Sequence, residues 1–453
     1  MVENRALGVD VADIGLFTDL YELTMMQAYV EEGLDGEAVF SLFVRKLPEH
    51  RNFLLACGLE SVLDCLESVR FADSSIAYLR SLGRFSDRFL AWLAGFRFTG
   101  AVYAVPEGTP VFQNEPILEV AAPIAEAQLV ETLIINQVHM QTVLASKAAR
   151  VVAAAEGRAV VDFAARRMHG FDAAVKGARA FYIAGAAATS NVLAGRTYGI
   201  PVAGTMAHSF VQAHDSEAES FRAFSRTFPE TILLVDTYDT LDGVRKVIDL
   251  AGELGSDFRV EGVRLDSGDL AALAHGSRRL LDDAGLSQVR IFASGGLNEG
   301  EIAGLVGAGA PIDAFGVGTD MGVSRDHPAL DIAYKLCAFA GTGRLKLSPG
   351  KPILPGRKQV FRRQRDGLAA GDVIARDGER LDGRPLLTPV MADGRRLDGA
   401  TPPLAAVRAR AGEEIARLPH ELRGIVPAQP RYAVEVSEAL KAYQREVAVV
   451  VAR

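Results

Sequence analysis

Between Thr231 and Asp320 the chain reads TILLVDTYDTLDGVRKVIDLAGELGSDFRVEGVRLDSGDLAALAHGSRRLLDDAGLSQVRIFASGGLNEGEIAGLVGAGAPIDAFGVGTD. Four short apolar runs with β character, TILLVDTY (231–238), VEGVRLD (260–266), VRIFASG (289–295) and IDAFGVGT (312–319), alternate with segments of helical period. In 240–254, Leu241, Val244, Ile248 and Ala251 recur on one face and Gly255 follows. In 269–284, Leu270, Leu273, Ser277, Leu281 and Ala284 recur and Gly285 follows. In 298–308, Asn298 and Glu301 have the spacing of a capping box and Gly309 follows. Two earlier runs, AVVDFA (159–164) and IPVAGTMA (200–207), extend the series to six. Strand alternating with helix requires parallel strands joined by right-handed crossovers. Six such strands with few reversals predict an α/β fold built on an irregular parallel α/β barrel, with an open doubly wound sheet as the alternative.

Outward from that core, residues 1–155 are expected to form an N-terminal α+β domain, 156–340 the barrel, and 341–453 a small C-terminal domain. TDLYELTMMQAYVEEG (18–33) predicts a first helix, with Asp19 or Thr18 as cap, Glu22 completing a capping box, a stripe of Leu20, Leu23, Met26 and Val30, and Gly33 as stop. AVFSLFVRKLP (38–48) reads as a strand, 59–94 as helical, and 101–120 as short strands separated by Pro and Gly. A long helical pattern follows from about 125 to 155. Beyond 341 the chain is rich in Gly, Pro, Arg and Asp, and RYAVEVSEALKAYQREVAVVVAR closes it as a helix.

Composition bounds the function. The 453 residues are 49% hydrophobic and 23% charged, an ordinary globular balance. A net charge of -8 argues against nucleic acid or an anionic membrane as the principal partner, although a basic pocket inside an acidic protein remains compatible with a small anionic substrate. No apolar run reaches the length of a bilayer span, and the acidic N-terminus lacks the pattern of a signal peptide. The three cysteines, Cys57, Cys65 and Cys337, form no C-x-x-C pair and point to a reducing compartment, so the expected location is cytoplasmic.

In a parallel barrel the chemistry collects at the C-terminal strand ends. Here those ends present Asp162, Phe163, Arg166 and Arg167, then Thr205 and His208, then Asp236, Thr237 and Asp239, then Arg264, Asp266, Ser267 and Asp269, then Ser294, Gly295 and Gly296, then Gly316, Gly318 and Thr319. Each has a plain structural reading. Ser267 or Asp269 can cap the next helix, and SGG and GVGT can be simple turns. Capping does not explain Arg264 and Asp266, which share one strand face. ASGGLNEGE opening into a helix, followed one strand later by GVGTD, suits a phosphate cradle built from backbone N–H groups. Arg beside Asp162 and Phe163 suits a carboxylate or phosphate clamp. His139, His169, His208 and His214 lack zinc-site spacing, but Mg²⁺ held by Asp266 or Asp269 together with substrate phosphates fits. The absence of Lys from the six strand ends speaks against a Schiff-base aldolase.

Taken together, TDLYELTM, DFAARRMHGFDAAVKGARA, TSNVLAG, GTMAHSF, LLVDTYDT, VRLDSGDL, FGVGT, PALDIAYKL and KLSPGKPILPGRKQVFR resemble nicotinate phosphoribosyltransferases, in the family's order and over nearly the whole chain. The resemblance implies that nicotinate is joined to phosphoribosyl pyrophosphate, with ATP hydrolysis driving the step and Mg²⁺ as the accompanying ion. His208 then corresponds to the histidine phosphorylated by ATP. Tyr21 corresponds to a tyrosine that reaches the nicotinate site from the partner in a homodimer. Thr205 and Arg264 match nicotinate-site positions, Thr319 a phosphate contact, and Phe163 and Arg166 a stacking aromatic and its basic neighbour. Asp266 would meet the ribose hydroxyls or the metal, and Gly318, Ser294 and Gly295 would line the phosphate site. Two departures stand out: Ala164 where Gly is frequent, and Gly296 where an acidic residue is frequent. The rival readings are a nicotinamide or quinolinate phosphoribosyltransferase and a non-catalytic nucleotide-binding barrel.

Overall fold

The runs of 231–320 form strands Ile232–Leu234, Gly262–Leu265, Arg290–Ala293 and Ala314–Val317, and AVVDFA forms Ala159–Asp162. This is a computed structural model that describes residues 11–347 and 353–451. IPVAGTMA does not form a strand. Pro201 lacks the N–H a ladder needs and Gly204 interrupts the run, so Val202 makes a single isolated parallel bridge to Thr189. The sixth strand is instead the two-residue Ala188–Thr189. The sheet order is Ala188–Thr189, Ala159–Asp162, Ala314–Val317, Arg290–Ala293, Gly262–Leu265, Ile232–Leu234, all parallel. The first and last of these strands do not pair, so the expected closed barrel is a curled half-barrel. The stretch that would have closed it, 200–207, is the one carrying Pro and Gly.

The helices between the strands hold to their punctuation. Asp239, Asp269 and Asn298 cap Thr240–Leu254, Leu270–Asp283 and Glu299–Gly307 through their side chains. The buried face of Thr240–Leu254 centres on Val244, Val247 and Leu250, slightly rotated from the face drawn through Leu241 and Ile248.

Chain packing divides the protein into two compact units, 147–328 and a unit made of 1–146 with 329–453. This division differs from boundaries at 155/156 and 340/341 because Ile332–Phe339 pairs antiparallel with Glu37–Val44. The second unit carries a seven-stranded sheet in the order Thr342–Gly343, Ile332–Phe339, Glu37–Val44, Pro116–Pro123, Ala101–Ala104, Thr388–Ala392, Arg395–Arg396. Its other main sheet joins Arg384–Pro385, Lys358–Arg365, Leu368–Arg376 and Val434–Val436. The chain end is thus strand then helix, Glu438–Val451, rather than one helix. The long helical pattern is two helices, Ile124–Leu129 and Glu131–Ala154. Part of the KLSPGKPILPGRKQVFR match, residues 348–352, lies outside the described residues.

The first helix, Leu20–Glu32, ends at Gly33 in the left-handed region as expected. Its start is different. Asp19 makes no side-chain cap, and Glu22 is fully buried, accepting hydrogen bonds from Thr18 Oγ1, Thr132 N and Thr132 Oγ1. Burial pushes the Glu22 carboxyl from 4.5 up to about 7, against those hydrogen bonds. A carboxyl raised in the folded state favours folding while it is protonated. That contribution is complete below pH 4.5 and is lost as pH rises through about 7. Melting curves between pH 4.5 and pH 8 should therefore show a fall in stability across this window that Glu22→Gln, an isosteric neutral replacement, flattens.

Candidate active site

Three consecutive strand ends are tied together by two carboxylates. Asp236, buried after Ile232–Leu234, accepts at Oδ2 from Asp266 N at 3.0 Å and from Ser267 Oγ at 2.6 Å. Asp266, after Gly262–Leu265, accepts at Oδ1 from Ser294 Oγ at 2.5 Å. Ser294 is itself buried after Arg290–Ala293, and its N donates to Leu265 O. Gly295 follows at φ +88°, and a Cβ there would lie 1.7 Å from Asp266 O, so the backbone approach between these two loops requires glycine.

His208 opens the short helix His208–Gln212 at the rim. Its Nδ1 lies 3.1 Å from Thr237 Oγ1, and its Nε2 is 4.0 Å from Asp266 Oδ2. Thr237 therefore orients the ring, and Nε2 is the nitrogen directed towards the carboxylate.

Arg264, on the strand Gly262–Leu265, donates from Nη2 to Met206 O at 2.9 Å, and its Cζ lies 5.9 Å from the centre of the Phe163 ring. Its Nε is buried without a hydrogen-bond partner among the described residues. Burial pulls the guanidinium below its usual range, opposed by Asp266 and Asp236. Phe163 packs on Phe292 at 5.9 Å between ring centres. A Cβ at Gly316 would come within 2.5 Å of the Phe163 ring, so the first glycine of GVGT makes room for that aromatic. Thr205 is half-buried beside Met206 and Arg166 is exposed. Gly318 precedes the short helix Thr319–Gly322, which Thr319 opens.

Some of the candidates serve the fold. Asp162 is buried, accepting from Ala164 N at 2.8 Å and Thr189 Oγ1 at 2.7 Å. Burial raises its carboxyl against those two bonds. Ala164 is fully buried in this turn. Asp269 uses Oδ1 to cap its helix through Ala272 N, whereas Ser267 turns to Asp236 rather than capping. Tyr21 lies in the other unit on Leu20–Glu32, 48% exposed, its hydroxyl held above its usual range by burial and then by Glu131. Among the described residues no group of three or more His, Cys, Asp or Glu is placed to hold a metal by itself.

Sequence reasoning passed over Lys147. It lies on the helix Glu131–Ala154 yet is buried against Glu299, Asp320 and Asp326, at the starts of the segments that follow the glycine loops. The available signal was a lone Lys among small apolar residues in LASKAAR.

An α/β unit whose C-terminal strand ends gather paired carboxylates, a half-buried arginine beside an aromatic ring and two glycine loops, with a histidine on the neighbouring short helix, defines an enzyme of the parallel-sheet class. Two family models match: the nicotinate phosphoribosyltransferase N-terminal domain over residues 16–139, and the nicotinate phosphoribosyltransferase family over 159–362. Nicotinate phosphoribosyltransferase pncB2 of Mycobacterium tuberculosis is 58% identical over 425 residues, covering 94% of this chain and 92% of that protein. Nicotinate phosphoribosyltransferase of Bacillus subtilis is 41% identical over 379 residues, covering 82% of this chain and 77% of that protein. The crystal structure of human nicotinic acid phosphoribosyltransferase superposes with a TM-score of 0.84 at 28% identity, over 95% of this chain and 99% of that one. The chain belongs to the nicotinate phosphoribosyltransferase family, a family of enzymes.

Gly295→Ala should lower stability by about 2–4 kcal/mol, since both the positive φ and the contact with Asp266 O resist a side chain. Urea denaturation checks this; a loss below about 0.5 kcal/mol would mean that the two loops are not locked together.

Proposed function

We propose that this protein joins nicotinate to phosphoribosyl pyrophosphate, releasing pyrophosphate and nicotinate mononucleotide for NAD salvage, and that ATP hydrolysis drives the step. The observation that carries the reading is Arg264. A half-buried arginine whose Nε is buried and unpaired among the described residues, 5.9 Å from an aromatic ring, fits an aromatic carboxylate: the carboxylate accepts from Nε while the ring lies on Phe163. A neutral amide would leave more of that donor's burial cost uncompensated. Thr205 borders the same place, and Tyr21 completes it from a partner chain in a proposed homodimer.

The pyridine nitrogen has its own lone pair, so no general base is required. As it bonds to the anomeric carbon and pyrophosphate leaves, positive charge grows on the ribosyl ring and negative charge on the departing group. Asp266 supports the former. Backbone N–H groups of Gly295, Gly318 and Thr319, with Arg166, support the latter, and Ser294, its own N–H held by Leu265 O, places the Gly295 turn. Mg²⁺ would neutralise pyrophosphate. The residues fit an ion that keeps mostly water and phosphate oxygens, with Asp266 and secondarily Asp269 as its protein ligands, because no closed protein cage is present among the described residues.

For the ATP half-reaction, the contact between His208 Nδ1 and Thr237 Oγ1 is compatible with the tautomer that carries its proton on Nδ1, in which the lone pair is on Nε2. That nitrogen bonds to the γ-phosphorus as ADP departs, and water later releases the phosphate. No helix among the described residues is long and apolar enough to cross a membrane; with the acidic charge and a sequence that holds no C-x-x-C pair, the proposed location is the cytoplasm.

The test is incubation with nicotinate, phosphoribosyl pyrophosphate, Mg²⁺ and ATP. Nicotinate mononucleotide should form, and nicotinamide should be turned over far more slowly; equal turnover of the two would remove the role given to Arg264. Arg264→Ala should raise the KM for nicotinate by about 10²-fold or more. His208→Ala should abolish ATP hydrolysis, and a variant retaining wild-type ATPase activity would refute the phosphohistidine.

A further inference from the structure

Glu299 and Asp320 sit at equivalent places in two neighbouring loops. Strands Arg290–Ala293 and Ala314–Val317 are adjacent, with Ala293 opposite Phe315. Glu299 is the first residue of the helix after the Ser294–Gly296 loop, and Asp320 is the second residue of the helix after Gly316–Gly318. Lys147 Nζ is 2.5 Å from Glu299 Oε2, 2.5 Å from Asp320 Oδ1 and 3.0 Å from Asp326 Oδ1. Arg150, one turn further along the same helix, reaches Glu299 Oε1 at 2.9 Å. The Lys147 side chain is 2% exposed and Glu299 8%. Burial alone would lower the ammonium, but the three carboxylates hold it above its usual range. Burial alone would raise Glu299, but Lys147 and Arg150 hold it below. Both groups therefore stay charged.

Burying such ions for stability alone gains little, because desolvation offsets most of the attraction. What the arrangement does supply is geometry. One ammonium with three donors fixes the starts of both glycine loops with respect to each other. We propose that Lys147 is a positioning residue for the pyrophosphate moiety: it holds the two loops at the spacing that lets both address one diphosphate, without touching substrate. This inference rests on the proposed phosphoribosyl transfer.

The deciding measurement is calorimetric titration with Mg²⁺ and phosphoribosyl pyrophosphate, alongside nicotinate turnover. Lys147→Met should weaken phosphoribosyl pyrophosphate binding by about tenfold or more and raise its KM in step, with the KM for nicotinate within about twofold of wild type. Lys147→Arg, which keeps the charge, should recover most of the loss. A merely structural lysine would shift both KM values together or neither. If Lys147→Met does not fold, Asp320→Asn should show the same selective loss. Unchanged phosphoribosyl pyrophosphate binding in whichever variant folds overturns the inference, whatever the acceptor proves to be. Tight phosphoribosyl pyrophosphate binding without nicotinate turnover in the wild type overturns the reaction instead and leaves the Lys147 comparison decisive.

Discussion

The hydrogen bonds made by Asp236 and Asp266 are the constraint on which the site depends. Each carboxylate reaches from its own strand end to the next, so three loops that would otherwise move independently share one geometry. The net gain from each bond is modest, about 1 kcal/mol, with more for charged acceptors. Their value lies in direction, because Asp266 must hold Ser294 on one oxygen and face His208 with the other. The left-handed backbone at Gly295 belongs to the same constraint, since only a residue without Cβ lets the Ser294 loop come against Asp266 O.

Charge is distributed across the site in layers. The rim carries His208, Arg166 and Asp266. Below it lies Arg264, its charge balanced in part by Asp266 and Asp236 and its Nε unpaired. Lys147 forms a further group, with its carboxylates tied down and both loop helices attached to it. An acidic protein can hold an anionic substrate because these local arrangements, and not the net charge, set the potential where phosphate would sit.

Much of this was legible in the sequence. The period of the helices, their Asp and Asn caps, and five of the six parallel strands followed from apolar spacing and punctuation. So did the gathering of Arg264, Asp266 and Ser294 at strand ends, whereas His208, expected at a strand end, opens a short helix beside them. The failures have physical causes. IPVAGTMA is as apolar as a strand, but Pro201 lacks a donor. Ala188–Thr189 is too short to show a period. Glu22 has the spacing of a capping box but is drawn inward by Thr132, a partner 110 residues away. Ile332–Phe339 pairs with Glu37–Val44, with Ala38 opposite Phe339, a pairing across most of the chain that no local pattern announces. Lys147 was missed for the same reason, since its partners Glu299, Asp320 and Asp326 come from two later segments 152 or more residues away.

The isolated bridge at Val202 bears on how His208 can behave. The segment leading to this histidine is fastened to the sheet by two backbone hydrogen bonds at Thr189, one from Thr189 N to Pro201 O and one from Ala203 N to Thr189 O. A residue embedded in a full ladder could be displaced only by breaking the ladder with it. A side chain carried on so short a tether depends instead on single contacts, Arg264 Nη2 to Met206 O and Thr237 Oγ1 to its own Nδ1, which can change while the parallel strands stay in register.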